Sequence, residues 1–432
     1  MTIHGSISHI SSGNADNELE RLYGNSSSAV LTQHIRFLSA AERFSRLFPD
    51  VDDVRIFSAP GRTEIGGNHT DHQNGCVLAA AVNMDMIAVA APNDSGIIRF
   101  SSEQCPQCMV STDDLAIHEE EKGTTAAMIR GIAAGFAEDG VNISGLDIFA
   151  SSDIPIGSGL SSSAAFEVLI GTIINSIFGS EKASAEEIAR IGQYAENFYF
   201  GKASGLMDQM ASSIGGMAAI DFETPDHPKI ERIDFDLSNT GYCICITDTG
   251  SSHADLSDEY SAITAEMKHV ARAMGHTFLR EANEDEFYHL IPELRKVCTD
   301  REILRAAHFY AENERAILEA QALRNGDTEE FFGLVNASGD SSAQLLQNLY
   351  PASSPHSQSI SLAIMLSKRI LGGSGAVRVH GGGFAGTIQA FVPIYTIKYY
   401  ISEMEKVFGN GCCHILNVRP VGGTELFSEL HN

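Results

Sequence analysis

The sequence is poor in positive charge. Lysine and arginine number 29 against 56 aspartate and glutamate residues, which gives a formal net charge of -27 at pH 7. A surface of this sign repels nucleic-acid backbones and anionic lipid headgroups, so we expect neither nucleic acid nor a membrane as a partner. A small bound polyanion stays compatible with this charge if a helix N-terminus, a metal ion or a well-placed arginine supports it locally.

Long apolar runs are also missing. The longest, "CVLAAAVNMDMIAVAA" at 76–91, is interrupted by Asn83 and Asp85, and it falls short of the roughly 20 residues needed to span a bilayer. The first twenty residues, "MTIHGSISHISSGNADNELE", lack the basic start and the apolar core of a secretory signal. We therefore expect a cytoplasmic protein.

Tryptophan is absent and cysteine is sparse. Among the eight cysteines, Cys105 and Cys108 form one CxxC pair. No second pair lies at the spacing of a zinc ribbon, and no thioredoxin-like context surrounds this one. Reduced, partly buried thiols are the expected state, and a metal or redox role for the pair is the alternative.

The chain is long enough for two domains. A single hydrophobic core stops growing at about 250–300 residues, and this chain has 432. Residues 1–29 are polar and rich in Ser, Asn and Gly, which predicts a flexible N-terminal arm. The segment "PDHPK" at 225–229 is the best candidate for a boundary. We therefore predict domains over 30–225 and 226–432.

Helical and strand patterns are mixed in both halves without a regular βαβ repeat, which indicates the α+β class. In the first half we predict a helix at 30–48, a strand at 54–60 stopped by proline, a buried strand or strand pair at 76–91, a helix at 125–140, a strand at 146–152, a helix from Ser161 or Ser162, a helix at 185–200, a helix near 205–216 and a strand at 217–222. In the second half we predict strands at 242–248, 376–380, 387–392 and 413–418, and helices at about 255–274, 300–325, 327–337 and 356–371, with one more before the last strand.

One glycine- and serine-rich loop, "IPIGSGLSSSAAFE" at 154–167, immediately precedes a predicted helix. Glycines let backbone N–H groups approach a phosphate, the helix dipole favours an anion, and serine hydroxyls can add ligands for phosphate or Mg²⁺. The loop matches neither a Walker A sequence nor the dinucleotide fingerprint. A serine-capped helix after a flexible turn is the alternative interpretation.

A second glycine cluster, "GGGFAG" at 381–386, formally contains GxGxxG. It lies between two predicted strands and opens no helix, so a dinucleotide site, and with it a dehydrogenase, is not expected. A tight glycine turn that packs closely against a neighbour is the interpretation that fits this context.

Three stretches occur in a fixed order and belong together: "APGRTEIGGNHTDHQNG" (59–75), "PIGSGLSSSAAFE" (155–167) and "RVHGGGFAG" (378–386). They resemble the three motifs of the GHMP kinase superfamily, and the first also resembles the galactokinase signature Gly-Arg-x-Asn-Leu-Ile-Gly-Glu-His-Thr-Asp-Tyr. The segment "SGLMDQMASSIGGMAAIDF" (204–222) is similar to the galactokinase segment with the catalytic aspartate, and "SSHADLSDEY" (251–260) to a further sugar-contacting segment. The resemblance covers about residues 54 to 425.

The resemblance implies the two-domain GHMP kinase fold, with ATP and a sugar bound between the domains. It implies Arg62 as the catalytic arginine and Asp208 as the base, with Mg²⁺ on Ser163 and Glu196. The phosphates would lie against a loop formed by Gly157, Ser158, Gly159, Leu160, Ser161, Ser162 and Ser163, and the sugar against His69, Asp71, Gly205 and Tyr260. Such residues suit phosphoryl transfer, which needs positioning and charge neutralisation, and an aspartate kept ionised by a neighbouring arginine can accept a proton.

Some positions depart from the family pattern. Asn68 stands where the signature has a glutamate that reaches a sugar hydroxyl, and His72 replaces a tyrosine. "TEIGG" replaces Asn-Leu-Ile-Gly, and the tryptophan that the family often places near the adenine is missing. The phosphate and base machinery is complete, whereas the rim that recognises the sugar is altered.

The implied activity is an ATP-dependent sugar 1-kinase that forms galactose 1-phosphate. One alternative is the same reaction on an amino, uronic or pentose relative of galactose. Another is a non-catalytic sugar and ATP sensor, but galactokinase-like regulators lack two residues of the serine/alanine run, and here "GLSSSAA" is complete. The implied partners are the sugar and ATP alone, and a monomer is compatible with the sequence.

Overall fold

The computed structural model describes residues 2–24, 26–103, 107–155, 157–180, 182–202, 204–251 and 256–427.

Three helices precede the first strand. Helices α1 (Ile3–Ser11) and α2 (Asp16–Tyr23) pack on α3 (Ser27–Leu47). The prediction of a flexible arm over 1–29 is therefore wrong. Its apolar side chains are few but regularly spaced, and they are buried together: Ile3, Ile10, Leu19, Leu22 and Tyr23.

The remaining helices agree in place with most of the predicted ones. They are α4 (Thr125–Glu138), α5 (Ser162–Ile177), α6 (Ala185–Tyr194), α7 (Met207–Ile214), α8 (Ser257–Ala273), α9 (Glu284–Leu294), α10 (Asp300–Asn325), α11 (Thr328–Ser341), α12 (Ser359–Leu371) and α13 (Ile397–Phe408). Two short π-helical segments continue α6 and α11, over Ala195–Phe200 and Ser342–Leu346. Helix α9 was not predicted, and it carries Pro292 inside its last turn.

The strands form two sheets. In chain order they are β1 (Arg55–Gly66), β2 (Cys76–Pro92), β3 (Ile97–Ser102), β4 (Cys108–Ser111), β5 (Leu146–Ser152), β6 (Met217–Asp221), β7 (Lys229–Ile233), β8 (Tyr242–Asp248), β9 (Ala376–Val379), β10 (Thr387–Pro393), β11 (Cys413–Leu416) and β12 (Thr424–Leu426). The first sheet has the order β12-β1-β2-β5-β3-β4, with β6 paired to β2 and β7 to β6. The second is antiparallel, in the order β11-β8-β10-β9. The mixture confirms the α+β class, and the glycine cluster forms the turn between β9 and β10.

Strand β2 is the centre of the first sheet. It pairs with β1, β5 and β6, and most of its seventeen residues are buried. Helices cover the sheet on both sides, which explains the near-continuous apolar run at 76–91. No helix in the described ranges is long and apolar enough to cross a membrane.

Strand β1 continues where the sequence predicted its end. It runs through Pro60 as far as Gly66, and its register against β2 shifts between Pro60 and Arg62 and again between Glu64 and Gly66. Proline removes only one donor, and a bulge accommodates that loss while turning the following side chains. The prediction of a stop at Pro60 is wrong for this reason, and the bulge lies next to the candidate site.

The division at 225/226 stays a prediction. Strands β7 and β12 both follow that point in the sequence, yet both belong to the first sheet. Strands β3, β4, β7 and β12 were not predicted. They are three to six residues long, too short for a clear alternation of polar and apolar positions.

Asp85 ties the helical segment to the first sheet. Its side chain is fully buried and accepts hydrogen bonds from Tyr23 (2.5 Å), Arg36 (2.5 Å), Arg419 (2.7 Å) and Ser58. Burial opposes the charge, but the two arginines outweigh it and hold the pKa of Asp85 below its ordinary value. Helix α3, strand β2 and the segment before β12 therefore meet at one carboxylate.

We predict that Arg36→Met lowers the free energy of unfolding by about 3 kcal/mol, because breaking a buried ion pair leaves Asp85 with one charged partner fewer. Urea denaturation measures the change. Arg46→Met is the matched control, since Arg46 lies on the same helix in an exposed pair with Glu42 whose loss should cost about 0.5 kcal/mol or less. Equal losses in the two variants would show that the Asp85 cluster does not stabilise the fold.

Candidate active site

Arg62 and Asp208, the two residues implied for catalysis, are in direct contact. The guanidinium donates to both carboxylate oxygens, from Nε at 2.6 Å and from Nη2 at 2.8 Å. Its Nη1 donates to the backbone carbonyl of Gly159 at 2.6 Å. Strand β1, helix α7 and the serine-rich loop thus meet at one arginine, which is 6% exposed.

Asp208 is held as a carboxylate. Burial would raise its pKa, but the charge of Arg62 and hydrogen bonds from Arg62 and Ser161 outweigh that effect and keep the pKa below its ordinary value. The side chain is still 31% exposed, whereas Arg62 is nearly enclosed. The result is an ionised proton acceptor that a ligand can reach.

The serine-rich loop leads into helix α5. Ser161 is the residue before the helix, in the left-handed region (φ 56°), and its hydroxyl donates to Asp208. Ser162 and Ser163 are exposed in the first helical turn, where backbone N–H groups have no partner within the helix. Gly157 is exposed, Gly159 is partly exposed, and Ser158 and Leu160 are buried. The loop therefore offers hydroxyls and the positive end of a helix dipole at one point.

A cavity of about 470 Å³ opens beside this loop. Ser162 and Ser163 line it together with Glu196, so the structure brings the two implied metal ligands to the same cavity. Lys202 also lines it, and its ammonium contacts Glu196 Oε1 at 2.8 Å. Lys202 was not predicted as a site residue, because nothing in the local sequence relates position 202 to Glu196.

A second acid lies behind Glu196. Gln209 donates from its Nε2 to Glu196 Oε2 at 3.0 Å and to Glu167 Oε2 at 2.9 Å. Burial and the neighbouring Glu196 raise the pKa of Glu167 to about 9, so Glu167 carries a proton at neutral pH. Gln209, anchored on Glu167, thereby fixes the direction of the Glu196 carboxylate.

Apart from Ser102, Glu103, Thr125, Ser151 and Ser152, the rest of the cavity wall is mainly apolar. Its large side chains are Met86, Phe100, Met128, Phe166 and Phe200. They come from β2, β3, α4, α5 and the π-helical segment, so only the fold brings them together. None of these residues was predicted as part of a site from the sequence.

Asp71 and Gly205 lie against each other. A Cβ atom on Gly205 would come within 2.0 Å of Asp71 Oδ2, so only glycine allows this approach. Asp71 sits in a short 3₁₀ turn (Asp71–Gln73), where one of its oxygens accepts from the backbone of His72 at 2.9 Å. Gly205 is three residues before Asp208 in the sequence. The Asp71–Gly205 pair is thereby connected to the Arg62–Asp208 contact through one short segment.

His69 and Tyr260 both rest on the glycine turn after β9. His69 Nε2 bonds to the carbonyl of Gly382 at 3.0 Å, and the Tyr260 hydroxyl donates to the carbonyl of Gly383 at 3.0 Å. Burial and the neighbouring His72 lower the pKa of His69 to about 3, so the ring is neutral. His69 also has a left-handed backbone (φ 60°), a conformation that often accompanies a functional constraint. Residues 252–255 of the segment containing Tyr260 lie outside the described residues.

Asn68 does not face an open site, which contradicts its implied sugar contact. Its side chain is fully buried. The amide nitrogen donates to Glu64 (2.9 Å) and to the carbonyl of Gly381 (2.8 Å), and the amide oxygen accepts from Asn348 (3.0 Å) and Ser342 (3.4 Å). All four hydrogen-bonding positions of the amide are therefore occupied by protein. The signature places asparagine and glutamate in the reverse order, and here Glu64 carries the charge and pairs with Arg378 at 2.6 Å.

A buried acid occupies the space above Gly66. A Cβ atom on Gly66 would lie 1.6 Å from Glu319 Oε2, so the side chain that the signature places here is replaced by a carboxyl group from α10. Neither oxygen of Glu319 has a hydrogen-bond partner among the described residues. Burial, with Glu312 nearby, raises the pKa of Glu319 well above its ordinary value. The folded chain therefore favours the neutral form of Glu319.

The cysteines form no disulfide within the described part of the chain. Cys105 lies outside the described residues, so the structure does not describe the CxxC pair of Cys105 and Cys108.

Comparison with known families identifies two regions of the chain. Residues 126–216 match the family model of the GHMP kinases N terminal domain. Residues 42–92 match the galactokinase galactose-binding signature. The matched regions contain Arg62, Asp71 and Asp208.

Several curated relatives are similar over most of their length. A galactokinase of Glaesserella parasuis is 32% identical over 360 residues, which cover 81% of this chain and 88% of that protein. A galactokinase of Enterococcus faecalis is 31% identical over 371 residues, 84% of this chain and 91% of the relative. Among solved structures, Lactococcus lactis galactokinase complexed with galactose matches with a TM-score of 0.79 at 23% identity, covering 90% of this chain and 100% of that one. Methanococcus jannaschii mevalonate kinase matches with a TM-score of 0.61 at 16% identity, covering 85% of this chain and 98% of that one.

We predict that Glu319→Gln stabilises the protein increasingly as the pH rises. The folded chain keeps the proton on Glu319 far above the pH at which the unfolded chain loses it, about pH 4.3. Above that pH the unfolded chain binds fewer protons, so the wild type loses stability with rising pH, and the amide variant escapes this loss of at most about 1.4 kcal/mol per pH unit. The measurement is the free energy of unfolding from pH 5 to 8. Glu314→Gln changes an exposed position on the same helix, and its free energy of unfolding should differ from that of the wild type by the same amount at every pH. If the difference for Glu319→Gln were also independent of pH, it would contradict a buried neutral acid.

Proposed function

Because the chain belongs to the galactokinase family of the GHMP kinases, we propose that it transfers the γ-phosphoryl group of ATP to the anomeric hydroxyl of galactose. The observation that carries this proposal is the bidentate contact between Arg62 and Asp208 at the start of helix α5. A proton acceptor, a cation and an anion-binding helix end meet there, which are the parts that phosphoryl transfer needs.

Asp208 acts as the base in this proposal. Its carboxylate accepts the proton of the C1 hydroxyl as the oxygen of that hydroxyl bonds to the γ-phosphorus and the bond to the ADP oxygen breaks. Arg62 keeps Asp208 ionised before the step and stabilises the negative charge on the transferring group during it. Ser161 orients the carboxylate through its hydrogen bond.

The sugar is proposed to lie on the side of Asp208 where Asp71 and Gly205 meet. Asp71 offers carboxylate oxygens to neighbouring hydroxyls, and the absence of a side chain at Gly205 lets the Asp71 carboxylate take this position. His69 and Tyr260 shape the wall through the glycine turn. Asn68 acts one layer behind, by holding that turn through Gly381.

The nucleotide is proposed to occupy the cavity beside helix α5. The apolar wall of Met86, Phe100, Phe166 and Phe200 suits an adenine ring and takes the place of the missing tryptophan. The loop over 157–163 and the helix N-terminus then face the phosphates.

The residues at the cavity also fit a magnesium ion. Ser163 and Glu196 supply oxygen donors, which Mg²⁺ prefers, and a cation, the Lys202 ammonium, already contacts Glu196. When bound, Mg²⁺ adds positive charge that neutralises the phosphate oxygens. Gln209 and Glu167 hold the Glu196 carboxylate in position for this role.

Purified protein should be tested with ATP and Mg²⁺ on a panel of hexoses, pentoses, hexosamines and uronic acids, with the sugar 1-phosphate as the product measured. The proposal expects galactose to give the highest kcat/KM. Preference for another member of the panel would retain the reaction and replace the substrate. Binding of galactose and ATP without product would indicate a sensor and overturn the proposal.

Asp208→Asn should lower kcat by at least roughly a hundredfold, since it removes the general base. Galactose binding, measured by calorimetry, should remain within a few-fold of wild type, because the amide keeps the size of the side chain. Asp221→Asn is a control on the neighbouring strand β6, where Asp221 pairs with Arg280. Near-wild-type turnover in Asp208→Asn would remove Asp208 from the mechanism.

Lys202→Met should tighten the binding of Mn²⁺, used as a spectroscopic substitute for Mg²⁺, roughly two- to fivefold in the absence of nucleotide. The lysine is 60% exposed and competes for Glu196, and an exposed ion pair contributes up to about 1 kcal/mol. Lys368→Met, which removes a similar exposed pair with Asp340, should leave Mn²⁺ affinity unchanged. Unchanged or weaker binding in Lys202→Met would show that Glu196 is not the metal ligand that the lysine covers.

A further inference from the structure

Three side chains of different chemistry converge where helix α8 crosses the start of α10. His269 projects from α8, Cys298 lies in the turn after α9, and Glu302 is in the first turn of α10. His269 Nδ1 and Glu302 Oε1 are 2.8 Å apart. These atoms and the Cys298 sulfur all lie within 4.8 Å of one another.

We propose that His269, Cys298 and Glu302 bind one zinc ion, with water as the fourth ligand. Imidazole nitrogen, thiolate sulfur and carboxylate oxygen are the three ligand types that Zn²⁺ takes in proteins, at about 2.0–2.3 Å each. Tetrahedral bonds of that length place neighbouring ligand atoms roughly 3.3–3.7 Å apart. The His269–Glu302 distance of 2.8 Å is shorter than this spacing, and the sulfur lies within 4.8 Å of both atoms, so small side-chain adjustments are what an ion would require.

The carboxylate is already oriented for this role. Glu302 forms a capping box with Thr299, whose backbone N–H and hydroxyl donate to Oε2 at 2.6 and 3.0 Å. Oε1 is thereby directed toward His269. Such second-layer hydrogen bonds are the usual means by which a protein aims a metal ligand.

Charge and access at the site also suit a cation. The neighbouring Arg301 is turned to Glu266, with its Nε 3.2 Å from the carboxylate, so its charge is neutralised there. His269 is about half exposed, which gives an ion a path from solvent, whereas Cys298 is buried. Burial and Glu302 raise the pKa of Cys298, so the metal-free thiol carries a proton that zinc binding would release.

Zinc at this position would stabilise the helical layer beside the candidate active site. It would cross-link α8, which carries Tyr260 in its first turn, to the start of α10, which carries Glu312 and Glu319. None of the three ligands belongs to the residues assigned to ATP, sugar or Mg²⁺, so this inference does not depend on the proposed kinase activity.

The test is a titration of metal-stripped, full-length protein with Zn²⁺ by calorimetry and with Co²⁺ by absorption, where a thiolate-to-cobalt band reports sulfur ligation. One site per chain is expected, with affinity falling at least tenfold and the band disappearing in Cys298→Ser. His269→Asn, at an exposed position that should not disturb folding, should lower the affinity at least tenfold while retaining a weaker band.

Matched controls exclude the other thiols and histidines. Cys413→Ser changes a thiol of the separate Cys412–Cys413 group in the second sheet, and His289→Asn changes another exposed histidine of the same helical layer. Both should bind Zn²⁺ as the wild type does. The proposal is overturned if the wild type shows no stoichiometric Zn²⁺ binding, if Cys298→Ser and His269→Asn bind as the wild type does, or if Cys413→Ser alone abolishes binding.

Discussion

One guanidinium group joins three segments that are far apart in the sequence. Arg62 comes from strand β1, Gly159 from the loop before α5 and Asp208 from α7, and the arginine donates a hydrogen bond to each of the other two. Because a guanidinium is planar and presents its donors in a fixed fork, the contact sets angles as well as distances. The position of the serine-rich loop relative to the carboxylate is therefore determined by a side chain from the sheet. A lysine could supply the charge but not this geometry.

The same strand carries a second set of buried charges two residues further along. Glu64 pairs with Arg378, and Arg378 also donates to the carbonyl of Ile65 at 2.6 Å, so the second sheet is attached to β1 through polar contacts. Ionic contacts in an interior stabilise little by themselves, but they are costly to break and permit few alternative arrangements. Asn68 belongs to this layer. We infer that the exchanged order of Glu64 and Asn68 preserves one buried negative charge while changing which position holds it.

The sequence predicts much of this structure where the information is local. The bounds of β8 and α10 agree with the predicted ones to the residue, since each has a clear apolar pattern and α10 also has a capping box. The motifs likewise singled out Arg62, Asp208, Ser163 and Glu196, and the structure places Arg62 against Asp208 and Ser163 in one cavity with Glu196. Glu319 and the apolar wall of the cavity were missed because each acquires its role from partners far away in the chain, whereas no local sequence signal relates Lys202 to Glu196, six residues before it. Asn68 was misassigned for the same reason, since its environment depends on Ser342 and Asn348.

The position of strand β12 has a consequence for how the protein can be synthesised. β12 pairs with β1, and Arg419 just before it reaches Asp85 on β2. The backbone N–H of Phe427 donates to Glu18 at 3.1 Å. During translation Ile56 of β1 is therefore made 370 residues before its partner Leu426 of β12 (426 minus 56), and Asp85 lacks one of its two arginines until Arg419 is made, 334 residues later. Contacts of such large sequence separation form late. An unfinished chain that lacks β12 would thus expose the edge of β1, and an open strand edge is a template for pairing with another chain.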